Sequence, residues 1–176
     1  MMENNNKNTN FNKTEMNKFT FVESKLSNEE IVDIHDIMVN SGELRPIEYL
    51  KLCQNEIKES KRIVILCSHN TEFVGMAHIL LISERTSFND QGIIELHDLW
   101  VNPKWRRNGI VLPLSRKVEE ICYQRLNVKN VGLAIQLYKN NEYILRFYMK
   151  IGYKPIDLQI DGSNTVLWMT KEIEPF

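Results

Sequence analysis

Apolar residues recur along this chain with two alternating periods, one of helices and one of strands. Phe19 to Glu23 reads as a first strand. Ser27-Asn28-Glu29-Glu30 is a capping box, and Ile31, Ile34, His35 and Met38 then fall on one helical face. Ser41-Gly42 stops that helix. Pro46 opens a second one, to about Ser60, with Ile47, Leu50, Cys53 or Gln54, and Ile57 as its stripe. Ile63 to Cys67 is a short β-branched strand, His69 to Glu72 turns the chain, and Phe73 to Ile82 returns it. Glu84 to Gly92 reads as a polar loop and Ile93 to Val101 as a long strand. A helix follows from Ile110 to about Leu126, with Pro113 in its first turn. Asn130 to Leu137 is a strand. Asn140 or Asn141 caps a helix to about Lys150, which Gly152 ends. Tyr153 to Leu158 and Thr165 to Lys171 form a last pair of strands around Asp161-Gly162. This order predicts an α/β protein with a sheet of mixed direction.

Composition narrows the class. A chain of 176 residues, 43% hydrophobic and 26% charged, is an ordinary globular chain. Residues 1–18 are Asn- and Lys-rich and are expected to be a disordered tail, leaving 19–176 as a single domain. No apolar run reaches membrane-spanning length and no secretory signal is visible, so a cytoplasmic protein without membrane contact is expected. Cys53, Cys67 and Cys122 read as reduced, buried thiols. Charge is segregated: acids dominate from Glu23 to Ser60, bases from Asn102 to Lys150. The basic half suits an anionic ligand and the acidic half a cationic one.

The densest chemistry lies in Leu99-Trp100-Val101-Asn102-Pro103-Lys104-Trp105-Arg106-Arg107-Asn108-Gly109-Ile110-Val111. A strand ends, a basic turn follows and a helix begins. The first amides of a helix lack intrahelical partners, and the helix dipole adds positive charge there. Gly109 lets the backbone approach a ligand closely. Together they can hold a pyrophosphate.

Arg106 to Val111 resembles the acyl-CoA signature of the GNAT-type N-acetyltransferases: Gln or Arg, two free positions, Gly, one free position, then Gly or Ala. Leu99 to Pro103 resembles the Leu-x-Val-x-Pro that precedes it. Asn141 with Phe147-Tyr148-Met149-Lys150-Ile151-Gly152-Tyr153 resembles the family's Asn-x6-Tyr-x3-Gly-(Phe/Tyr) segment. The resemblance implies a single-domain mixed sheet of about seven strands flanked by about four helices. It implies acetyl-CoA as acyl-donor co-substrate and a primary amine as acceptor. Leu99, Trp100 and Val101 would line the pantetheine arm, with the backbone of Leu99 and Val101 pairing to it like an added strand. Arg106, Arg107, Asn108, Gly109, Ile110 and Val111 would cradle the pyrophosphate, and Asn141 would hold the cofactor. Lys139, Arg146 or Lys150 would reach the ribose phosphate. Tyr148 matches the tyrosine that protonates the departing thiolate. By analogy with such folds, the last strands would pair two copies into a homodimer.

Amine acetylation needs the neutral amine, although an alkyl ammonium has a pKa of about 10.4 in water, so the site must bind the neutral form or remove a proton. Strand alternation in Ile94-Glu95-Leu96-His97-Asp98-Leu99 places Glu95, His97 and Leu99 on one face and Asp98 on the other. Glu95 is the first candidate base, His97 the second, and ordered water between them a third route. Asp98 is expected to anchor a neighbouring loop. The reading is direct acetyl transfer, in a ternary complex, to a small cationic acceptor. Val111, where the family has Gly or Ala, motivates the alternative of a degenerate CoA-binding or interaction module. No metal-ligand spacing and no nucleic-acid reading motif is present, so neither a metal nor a nucleic-acid partner is expected.

Overall fold

The computed structural model describes residues 19–43, 45–138 and 141–176. The Asn-rich tail, Lys139 and the alternative cap Asn140 lie outside them. The elements run β1 (Phe19–Ser24), α1 (Asn28–Asn40), α2 (Ile47–Lys58), β2 (Arg62–His69), β3 (Glu72–Leu80), α3 (Thr86–Asp90), β4 (Ile94–Val101), a 3-10 turn (Pro103–Trp105), α4 (Val111–Gln124), β5 (Asn130–Gln136), α5 (Glu142–Lys150), β6 (Lys154–Asp161) and β7 (Asn164–Glu172). The strands form one seven-stranded sheet in the order β1-β2-β3-β4-β5-β7-β6. Neighbours are antiparallel except β4 and β5, which run parallel.

Local chemistry starts the helices as the sequence indicates. Ser27 Oγ accepts from the Glu30 amide at 3.1 Å, and the Glu30 carboxylate accepts from the Ser27 amide at 2.7 Å. Ile31, Ile34 and Met38 of α1 and Leu50 and Cys53 of α2 are buried with Val64, Met76 and Trp100, covering one face of β1–β4. Leu114, Val118 and Cys122 of α4 and Tyr148 of α5 cover the other, against Ile65, Ala77, Ile79, Leu96, Leu133 and Met169. Removing this much apolar surface from water is the main stabilisation of such a layered fold.

One element was not legible as a helix. The segment read as a polar loop contains α3, five residues long, with Phe88 fully buried. Its ring lies directly on Gly132 of β5, where an added Cβ would come within 2.2 Å of it. The helices therefore number five, among the described residues, rather than about four.

The sheet is weakest at its centre. β4 and β5 pair only through Ile94 with Val131 and Glu95 with Gly132. Beyond that point β4 continues to Val101 and β5 to Gln136, and the two strands part. β5 meanwhile pairs with β7 along its whole length. A parting between parallel strands leaves backbone groups of both edges unpaired in the middle of the sheet.

Candidate active site

A bulge decides which side chains β4 presents. His97 stands opposite His78 and Trp100 opposite Met76, so Asp98 and Leu99 together oppose Ala77 alone. Asp98 takes up the extra residue in the left-handed region, at φ 50. The simple alternation is thereby overturned. Asp98 turns to the same face as Glu95, His97 and Trp100, towards α1 and α2, while Leu99 packs into the core on the opposite face.

Glu95 and His97 meet there. Glu95 is 4% exposed. One of its carboxylate oxygens faces His97 Nδ1 at 3.0 Å, and the other accepts from the Ser83 hydroxyl. A carboxylate can only accept, so the imidazole carries its proton on Nδ1 and leaves Nε2 with a free lone pair. The His97 side chain is 37% exposed, so that nitrogen has room to meet a ligand.

Beside this pair lies a closed cluster. Asp98 accepts from Tyr49 Oη at 3.0 Å and pairs with Arg45. Burial works against its charge, but the Arg45 guanidinium beside it and the Tyr49 hydroxyl hold its carboxyl below the ordinary range. His78 is fully buried, and its Nδ1 lies 2.8 Å from Nη1 of Arg62. A guanidinium only donates, so His78 Nδ1 accepts and the proton sits on Nε2, which has no partner among the described residues. Burial holds this imidazole down to about 3. Asp98 thus anchors the segment before α2, as the sequence suggests.

The basic turn forms a concave row of amides. Arg107 and Gly109 have positive φ, 66 and 74, and Arg106 and Ile110 around them have φ of −63 and −68. Such alternation turns successive N–H groups inward as an anion cradle. Among the described residues the amides of Arg107 to Leu112 find no partner in the protein. The side chains behave differently. Arg106 donates from Nε to the Val101 carbonyl at 3.0 Å and pairs with Glu43, which also accepts from Trp100 Nε1 at 2.6 Å. Its charge is therefore largely answered inside the protein, while Arg107 has no ion-pair partner among the described residues. Trp100 is buried, its ring stacked on Phe73, so only its backbone is left for a ligand. Val111 begins α4, and its half-buried side chain packs against the core cluster.

Tyr148 lies in the core cluster on the α4–α5 face, edge-on to Phe147 and Tyr153 at 5.2 and 5.4 Å. Burial raises its phenol above the ordinary value, so it holds its proton at neutral pH. Its hydroxyl has no partner among the described residues. Asn141 precedes α5 but does not cap it with its side chain. The amide instead closes the end of β5, accepting from the Tyr138 amide at 3.1 Å and donating to the Gln136 carbonyl. Arg146 is paired with Glu142, and Lys150 is exposed.

Sequence reasoning missed Ser83, Asn89, Arg45 and Tyr49, which surround β4 from segments distant along the chain. Nothing in a polar loop or on a helix surface marks them in advance. The charge segregation also reads differently once folded, because Glu23 pairs with Arg125 and Glu43 with Arg106 across the two halves. The three cysteines are free and buried. Among the described residues no group of three or more ligating side chains comes together, and no helix is long and apolar enough to cross a membrane.

Comparison with known proteins agrees with this geometry. Residues 28–153 match the family described as Acetyltransferase (GNAT) family. No curated protein sequence matches the chain. A solved structure from Desulfovibrio desulfuricans, described as belonging to the GNAT family, superposes with a TM-score of 0.71 at 12% identity, over 88% of this chain and 98% of that one. A dodecameric spermidine N-acetyltransferase from Vibrio cholerae gives 0.68 at 14% identity, over 89% and 94%. The ribosomal-protein-S18-alanine N-acetyltransferase of Escherichia coli gives 0.68 at 13%, over 90% and 96%. At these identities the likeness is one of fold.

Proposed function

We propose, from the premise that the chain belongs to the acetyltransferase (GNAT) family, that it moves an acetyl group from acetyl-CoA directly to a primary amine in a ternary complex. The observation that carries this reading is the parting of β4 from β5 beside an oriented imidazole. Tyr148 lies on one face of the sheet and His97 on the other, and the parting joins the two faces.

The chain's own groups divide the work. Unpaired amides from Arg107 to Leu112 hold the pyrophosphate, and the β4 edge at Leu99 and Val101 pairs with the pantetheine arm. His97 Nε2 takes the proton that the amine loses as its nitrogen bonds to the acetyl carbon. Glu95 fixes the imidazole tautomer, which makes it an orienting group and His97 the base. As the carbon–sulfur bond breaks, Tyr148 gives its proton to the thiolate. No protein thiol is needed: burial pushes Cys67 and Cys122 up to about 12 and raises Cys53, so all three stay protonated at neutral pH. The acid-rich segment of α1 and α2 supports a small cationic acceptor, as does the spermidine acetylation performed by one protein of this fold.

Calorimetry with acetyl-CoA and free CoA tests the cradle, and an amine panel with spermidine tests transfer. Micromolar binding of both with turnover is expected; binding without turnover of any amine would leave the degenerate CoA-binding module. Tyr148→Phe should lower turnover about 10²-fold with little change in acetyl-CoA affinity, and unchanged turnover would remove Tyr148 from the mechanism.

A further inference from the structure

The connection between β3 and β4 does more than join two strands. Ser83 is 4% exposed and its hydroxyl donates to the Glu95 carboxylate oxygen that His97 does not use. The same oxygen atom of Ser83 accepts from the Arg85 amide at 3.0 Å, which fixes the direction of its single proton. The backbone of Ser83 is itself held by one side chain. Asn89 Oδ1 accepts from the Ser83 amide and Asn89 Nδ2 donates to the Ser83 carbonyl, both at 2.8 Å. Asn89 sits on α3, which is seated by Phe88 against Gly132 and by the Ile93 amide on the Phe88 carbonyl at 2.8 Å. Gly132 is the residue that pairs with Glu95 at the last rung before β4 and β5 part.

We infer that Ser83, set in place by Asn89, is a positioning residue for the Glu95–His97 pair. This rests on the reading of His97 as the base. A buried carboxylate with a single partner would be costly and free to turn; a second, directed donor keeps it aimed at Nδ1. With Glu95 fixed, His97 keeps its proton on Nδ1 and its lone pair on Nε2. Without the hydroxyl, the carboxylate charge falls entirely on the imidazole, which then holds an added proton more tightly. The other ionisable groups nearby are His78 opposite His97 on β3, Asp98 next along β4, and Arg45 and Tyr49 on Asp98. Among the described residues none of these hydrogen-bonds to Glu95 or His97.

The test is long-range proton–nitrogen spectroscopy of the imidazoles in the full chain, with His97 assigned by its loss in His97→Gln. In the wild type His97 should show the Nδ1–H tautomer. Ser83→Ala should raise its titration midpoint by about half a pH unit or more and mix the tautomers. Ser83→Thr, which keeps the hydroxyl, should restore both. A loss of packing alone would lower Tm without moving either signal. Should Ser83→Ala fail to fold, Asn89→Ala is expected to shift His97 in the same direction by less. Wild-type tautomer and midpoint in the folded alanine variant, or no rescue by threonine, would overturn the inference. The base reading fails separately, if His97→Gln acetylates spermidine or another amine of the panel at the wild-type rate.

Discussion

Two histidines face each other across β3 and β4, and they are opposites in every property that matters for chemistry. His78 is fully enclosed, accepts from Arg62 at Nδ1 and keeps its proton on an Nε2 that has no partner among the described residues. His97 reaches solvent, donates from Nδ1 to Glu95 and keeps a free lone pair on Nε2. The residue type and the strand pair are the same. What differs is the partner, a guanidinium in one case and a carboxylate in the other, and the partner dictates the tautomer. The enclosed cluster of His78, Arg62, Asp98, Tyr49 and Arg45 ties α2 to the sheet. The open cluster of Ser83, Glu95 and His97 leaves the imidazole half-exposed on β4, two residues beyond its last rung with β5.

Substitutions that treat the two clusters alike should therefore fail in different ways. The largest effect belongs to the open one. His97→Gln should lower turnover about 10²- to 10³-fold near neutral pH while Tm stays within a few degrees of wild type, as read by steady-state kinetics and calorimetry. A comparable loss of Tm would erase the distinction between the clusters. In the enclosed cluster, Asp98→Asn leaves Arg45 facing a neutral amide in a half-closed site and should cost about 3 kcal/mol in urea denaturation.

A third substitution sharpens the comparison through pH. The unfolded state protonates His78 near its ordinary value of 6.5, the folded state only at about 3. Between these values the unfolded state binds the extra proton. Stability is thus full above pH 6.5 and declines as pH falls towards 3. His78→Gln should remove about 2 kcal/mol of the decline between pH 6.5 and pH 5 in denaturant titrations. An equal slope in both proteins would mean that the cluster is not sealed. The smallest effect lies at the cradle. The Val111 side chain packs half-buried against the core, so Val111→Gly should change CoA affinity by less than about twofold. A tenfold gain would show that its side chain crowds the phosphate after all.

Much of this arrangement was legible in the sequence. Ser27 and Glu30 announce α1, Pro46 begins α2, and the strand–turn–helix around Gly109 appears with the left-handed glycine that the turn requires. The failures have separate causes. Regular periodicity reports the face of a residue only while pairing stays in register. The bulge at Asp98 shifts the register inside a strand whose pattern of polar and apolar residues looks unbroken. α3 escaped notice because a single buried Phe88 among Thr86, Ser87, Asn89 and Asp90 gives no period to detect. Asn141 fits the pattern of a helix cap, yet its amide finds better-placed backbone groups on the strand behind it. Ser83 is one serine in a polar connection, and only the fold brings it to Glu95.

The two rungs that join β4 to β5 have a consequence outside catalysis. Proteins with open sheets guard their outermost strands, because an unpaired edge recruits strands from other molecules. Here an edge opens in the interior of the sheet, between two strands that each keep a partner on their other side. An extended chain that enters this seam meets backbone donors and acceptors already set at strand spacing, as it would at the rim of a sheet.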